Sequence, residues 1–158
     1  MMKKLLTLVV LALMGTTMAM AQKEKGLGWA VEGGIGSELE LGGRAQYGFN
    51  QYLAWDVLNV KYAFDYGKDF NAHEWELTTG LRGFSPSFGP NLKAFAALDL
   101  GYGGQKIATD GIDAAHCFAL DFTVGLQVYK GLYLGYGFGG LFKNGSHKDH
   151  LLRVGYMF

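Results

Sequence analysis

The chain has 158 residues with 14 Lys or Arg against 14 Asp or Glu, so it is neutral overall and about one domain long. It contains no basic run or patch, which removes the electrostatic footing for nucleic-acid binding. Cys117 is its single cysteine, which excludes an internal disulfide framework.

Met1, Met2, Lys3 and Lys4 precede an apolar run from Leu5 to Met14, and Ala19, Met20 and Ala21 follow as a small-residue exit. That order is expected of a secretory signal peptide over residues 1–21, leaving 22–158 as the mature domain. The apolar run is too short to cross a bilayer as a helix. No cysteine follows the cleavage site, which argues against a lipid anchor. Without Lys3 and Lys4, 12 basic residues face 14 acidic ones, a net charge near −2. Glycine is frequent at 25 residues, aromatics reach 15%, and only 2 prolines occur. Since no later stretch suits a transmembrane helix, a membrane location requires a closed barrel.

From Leu27 onward the pattern is alternation rather than helical periodicity. Residues 28–36 set Trp29, Val31 and Ile35 against Glu32. After a connection at 37–40, residues 41–49 set Leu41, Ala45, Tyr47 and Phe49 against Arg44, Gln46 and Gly48. Asn50 and Gln51 read as a tight turn. In 52–64, Leu58, Val60, Tyr62 and Phe64 oppose Asn59 and Lys61. That phase carried backwards turns Asp56 to the apolar side; a β-bulge near Asp56 would reconcile the two halves, the alternative being that Asp56 lies at a membrane–water boundary. A polar connection at 65–73 leads into 74–84, where Trp75, Leu77, Thr79 and Leu81 alternate with Glu74, Glu76, Thr78 and Arg82.

Residues 85–91 form a turn that holds both prolines, away from any ladder position. In 92–102, Leu92, Ala94, Ala96, Leu98, Leu100 and Tyr102 face Lys93, Phe95, Asp99 and Gly101. After the long connection at 103–116, residues 117–128 set Phe118, Leu120, Phe122, Val124, Leu126 and Val128 against Asp121, Thr123, Gly125 and Gln127. A turn at 129–131 precedes 132–142, where Leu132, Leu134, Tyr136 and Phe138 oppose Gly135, Gly137 and Gly139. A connection at 143–149 leads to 150–158. There Leu152, Val154, Tyr156 and Phe158 form one face, and Leu151, Arg153, Gly155 and Met157 the other. The chain stops on Phe158 with no hydrophilic tail, so the eighth strand is expected to be paired on both edges in a closed sheet.

Three features predict that the apolar face points outward. Charges recur at mid-strand on the other face: Glu32, Arg44, Lys61, Glu76, Arg82, Lys93, Asp99, Asp121 and Arg153. With five basic and four acidic members, they are expected to neutralise one another in a narrow lumen, with glycines making room. Aromatics gather in two girdles, Trp29, Phe49, Tyr52, Tyr129, Tyr156 and Phe158 at one rim and Phe64, Tyr66, Trp75, Tyr102, Phe118 and Phe142 at the other. Most strands have the roughly 9–11 residues that a tilted transmembrane strand needs. The expected fold is all-β, an eight-stranded antiparallel up-and-down transmembrane barrel.

The leader, the eight alternating strands and the terminal Phe158 resemble the small outer-membrane β-barrels of Gram-negative bacteria, the OmpX-like, OmpA-transmembrane-like and porin-family outer membrane protein β-barrel domain group. The resemblance covers essentially the whole mature chain. It implies residence in outer-membrane lipid and assembly by the barrel-assembly machinery, which would read Tyr156 and Phe158 in the last strand. No peptidoglycan-binding domain follows the barrel, so cell-wall tethering is not expected. The secreted N-terminus puts 37–40, 65–73, 103–116 and 143–149 outside the cell and 50–51, 85–91 and 129–131 in the periplasm. Loops 65–73, 103–116 and 143–149 then form the surface offered to a ligand or protein partner.

Other chemistry reads more weakly. His147, Asp149 and His150 with His73 and His116 suggest a metal site at one rim, but histidines on loops are more often simply solvated. The lumen carboxylates are better read as an ion-pair plug than as acid–base catalysts. The glycine-rich stretches at 33–36 and 137–140 lack the strand-to-helix context of a phosphate loop. No cofactor, metal or catalytic residue is expected. The expected role is non-enzymatic, structural or surface-interacting, with a narrow solute channel as the alternative and a secreted soluble carrier barrel as a third.

Overall fold

The computed structural model describes residues 25–65, 72–90, 92–107, 115–129, 131–142 and 149–158. The leader at 1–21 and most of the connections at 65–73, 103–116 and 143–149 lie outside the described residues.

Eight strands close into one antiparallel barrel in chain order. They are β1 Gly26–Gly36, β2 Glu38–Gly48, β3 Leu53–Asp65, β4 Ala72–Phe84, β5 Lys93–Ile107, β6 Ala115–Tyr129, β7 Leu132–Phe142 and β8 Asp149–Met157. Closure runs between the first and last strands, with Ala30 opposite Met157 and Gly36 opposite Leu151. It extends to the last residue, whose amide donates to the Trp29 carbonyl at 2.7 Å. Neither terminal strand therefore offers an open edge.

The period-2 pattern becomes two surfaces of opposite character. Phe122, Leu134 and Val154 are 42%, 45% and 45% exposed, while Arg82 and Asp121 retain only 3% and 2%. The apolar set faces out and the charged set faces the axis.

Two expectations about strand bounds change. The first connection shrinks from 37–40 to Ser37 alone, because the Leu39–Leu41 alternation continues the strand and buries Glu38 and Glu40. This turn fits tightly against β8: the Ser37 amide donates to the His150 carbonyl, and a Cβ on Gly36 would collide with that same carbonyl. The long connection at 103–116 also shortens, since the β5–β6 ladder runs on to Gln105 opposite Ala115. Those two strands reach 15 residues each, beyond the length of a bare membrane crossing. Asn50 organises the turn into β3 by accepting hydrogen bonds from the amides of Tyr52 and Leu53.

The irregularity expected near Asp56 is present. On β2, Ala45 pairs with Leu58 and Gln46 with Asp56, which leaves Val57 as the extra residue. Trp55 and Leu58 consequently both face out, and Asp56 is fully buried inside. The Thr79 hydroxyl donates to the Asp56 carbonyl at 2.8 Å and accepts from the Trp55 indole at 2.9 Å. Thus the carbonyl loosened by the bulge keeps a partner on an otherwise apolar face. Thr79→Val keeps the side-chain shape and removes both bonds. It is expected to cost about 1–3 kcal/mol in unfolding free energy, measured by urea titration of the refolded barrel in detergent micelles.

Candidate functional site: the barrel lumen

An eight-stranded barrel has an interior just wide enough for side chains to fill it. Here the filling is a set of charged residues laid across the axis. Arg153 on β8 grips Glu40 on β2 through two bonds of 2.8 and 2.9 Å. The same guanidinium donates to Asp121 on β6 at 2.8 Å and lies 2.6 Å from its second oxygen, while also donating to Thr123 at 2.7 Å. Lys61 on β3 donates to Asp121 from the other side and sits 3.9 Å from Glu76.

Nearer the short turns, Asp56 lies 3.0 Å from Arg82 and 3.5 Å from Arg44. Arg44 also donates to Glu32 at 3.1 Å and to the Tyr133 hydroxyl at 3.1 Å. Tyr133 in turn donates to Glu32. Toward the loops, Gln105 donates to Glu74 at 2.6 Å.

The glycines on the inner face sit where these side chains need space. A Cβ on Gly137 would lie 2.6 Å from the Arg153 guanidinium carbon. One on Gly125 would meet the Phe95 ring at 2.8 Å, and one on Gly155 would run into the Tyr133 ring. Large residues thus face small ones on neighbouring strands, which lets a narrow lumen close.

Of the nine charged residues expected inside, eight are there: Glu32, Arg44, Lys61, Arg82, Asp99, Asp121 and Arg153 are buried, and Glu76 is nearly so. Lys93 is the exception. It is the first residue of β5, half-buried at the turn end, with no ion pair among the described residues. In its place come Glu40, from the expected first connection, and Asp56, from the bulge, and Glu38 and Glu74 are buried as well. The described interior therefore holds eight carboxylates against the four cations Arg44, Lys61, Arg82 and Arg153, not the near balance expected. Tyr133 carries no inward signal of its own in the sequence, because its strand reads as an unbroken run of glycine and hydrophobic residues. Its odd position beside Gly135 and Gly137 is the one available signal.

Apolar residues also point inward. Ala30, Phe95, Tyr133 and Met157 cluster at the turn end with Phe84 against them. The Arg82 guanidinium lies 4.7 Å from the Phe95 ring centre, and that of Arg44 lies 5.2 Å from Tyr133. Toward the loops, Cys117, Ala119 and Leu141 form a second buried cluster. His73 and His116, expected in connections, stand on β4 and β6, His150 lies on the last strand as expected, and His147 is outside the described residues. No group of three or more metal-ligating side chains forms among the described residues.

No protein-family model matches the chain, and no curated protein does either. Solved structures do match in fold. The N-terminal β-barrel domain of Pseudomonas aeruginosa OprF aligns with a TM-score of 0.61 at 14% identity, over 87% of this chain and 100% of that one. Neisserial surface protein A, NspA, aligns with a TM-score of 0.63 at 14% identity, over 83% of this chain and 92% of that one. The chain thus has the fold of the small eight-stranded outer-membrane barrels.

Asp99 and Asp121 are direct cross-strand partners on the inner face. Asp121 holds Lys61 and Arg153, whereas Asp99 has no ion pair among the described residues and its Oδ1 has no hydrogen-bond partner. Asp121→Asn leaves Lys61 with only the longer 3.9 Å contact to Glu76 and Arg153 with Glu40 as its one carboxylate, and is expected to cost about 3–5 kcal/mol. Asp99→Asn removes a like charge from the pair and strands nothing, so its stability is expected to equal or exceed that of the parent. Parallel urea titrations of the two variants separate these outcomes, and equal losses would overturn the assignment.

Proposed function

We propose that the chain is a non-enzymatic integral outer-membrane barrel with a structural or surface-interaction role, its lumen closed by side chains. The single observation that carries this reading is the direction of the two faces: exposed Leu, Val and Phe around the outside, buried ion pairs within. In water that outer surface would be a very large exposed apolar patch, and in a bilayer it is the matching solvent. A soluble carrier needs the reverse, an apolar interior around a greasy ligand, and the ion pairs occupy that space.

The fold likeness to OprF and NspA supports an outer-membrane address; the basic start, short apolar run and small-residue exit of residues 1–21 would be the leader that takes the chain there. Tyr156 and Phe158 would then present the assembly signal: they form an edge-to-face pair with centroids 5.1 Å apart at the end of the closing strand. Ligand or partner contact would fall to the connections at 65–73, 103–116 and 143–149. Phe158→Ala is expected to reduce the yield of folded barrel in outer-membrane fractions while leaving refolding in detergent unchanged.

A narrow channel is the second reading. Two features weigh against it, the cross-lumen pairs of Arg153 and the apolar stopper around Phe95 and Tyr133. Cell fractionation, a heat-modifiability gel and planar-bilayer recording together test the proposal. The expected result is a compact band in the outer membrane that shifts on boiling, without discrete conductance steps. Steps with a charge or size preference would favour the channel, and a mature protein soluble without detergent would sink both.

A further inference from the structure

At the loop end of the barrel, three imidazoles stand on its outer, apolar face. His73, His116 and His150 are each the second residue of an even-numbered strand, β4, β6 and β8. Each sits on aromatic rings. His73 stacks on Tyr62 with centroids 6.0 Å apart and meets Phe64 edge-on at 5.7 Å. His116 lies nearly parallel to Tyr102, at 5.5 Å and 13°, with Trp75 6.4 Å away. The indole can lie against the sheet there because Gly104 has no side chain beneath it. His150 packs 5.0 Å from Phe138, and its Nδ1 lies 2.7 Å from the Tyr136 hydroxyl.

The arrangement fixes three rings and leaves most of their polar atoms unused. Of the six ring nitrogens, only Nδ1 of His150 has a hydrogen-bond partner among the described residues. Nδ1 of His73 is buried with none. Strands two apart in a sheet are roughly 10 Å apart, so the three rings cannot converge on one metal ion, whose ligand nitrogens lie about 2 Å from it. What they match is a set of separate acceptors spaced around the barrel at the height where an aromatic girdle meets lipid headgroups.

We propose that His73, His116 and His150 form a belt that donates hydrogen bonds to the phosphate groups of lipids surrounding the loop end of the barrel. This rests on the membrane reading above and names the partner of that surface. Aromatic rings alone would anchor the girdle by their amphipathic bodies. The imidazoles add N–H donors beside those rings, at one of the two heights along the apolar face where phosphate oxygens are within reach.

The test uses the mature chain refolded into two kinds of vesicle, one of phosphate-free galactolipid and one in which part of that lipid is replaced by phosphatidylglycerol. It compares the parent with a variant carrying His73→Phe, His116→Phe and His150→Phe, which keeps the rings and removes the donors. Both proteins are expected to give the heat-modifiable band in galactolipid. After mild detergent extraction from the mixed vesicles, the parent is expected to retain about tenfold more lipid phosphorus per barrel than the variant. Single His116→Phe serves in the same assay if the triple variant does not refold, with a smaller loss expected. Equal retention overturns the belt. So does inorganic phosphate competing away the difference at millimolar concentration, which would mark a free-anion site rather than a lipid one. Failure of the parent to insert into either vesicle would instead sink the membrane reading itself.

Discussion

The structure turns on Arg153. From the last strand it crosses the lumen to Glu40 on the second and Asp121 on the sixth, and it fits only because Gly137 leaves the space beside it empty. Because side chains alternate with a period of exactly two, the direction of this one residue fixes its neighbours. Leu152 and Val154 must face out if Arg153 faces in. A one-residue slip of β8 would turn a stripped cation to the apolar surroundings, bury leucine and valine, and leave Glu40 and Asp121 in the lumen without the guanidinium they share. Strand pairing and choice of solvent are therefore one decision, made at the lumen.

Burying ions carries a desolvation cost that good pairing only roughly offsets, so the network is a weak source of net stability. Its value lies elsewhere. If both faces were apolar, nothing in a lipid environment would distinguish the inner face from the outer one. Charged residues with partners across the lumen make one face acceptable inside and ruinous outside. The glycines complete this, since Tyr133 over Gly155 and Phe95 over Gly125 and Gly135 show that large side chains can meet at the axis only where their neighbours have none.

Much of this was legible in the sequence because alternation is a strong signal over nine or more residues. The phases of 117–128 and 150–158 transfer to the structure unchanged, as does the bulge at Asp56. What was not legible lies where alternation meets a turn or a small-residue run. Glu40 was assigned to a connection because Ser37 reads as its start, and nothing local reveals that a single residue suffices when β8 braces the turn. Lys93 shares the inward phase but heads its strand, where a long side chain remains partly in solvent. Tyr133 hides among glycines. Its inward role depends on Glu32 and Arg44, which lie about a hundred residues away in the chain.

The two ends of the lumen are not equivalent. Toward the loops the inner face presents Glu38, Glu40, Glu74 and Glu76, while Arg44 and Arg82 lie toward the short turns beside the stopper of Phe95 and Tyr133. A cation approaching from the loops would meet favourable charge first and then two guanidiniums packed against aromatic rings. An anion from the same side would be opposed at the mouth. From the turn side, either ion must first pass the apolar cluster without its hydration shell. Charge order along the axis and the apolar stopper thus oppose the passage of ions of both signs. This is the physical ground for reading the barrel as a filled wall element rather than a conduit.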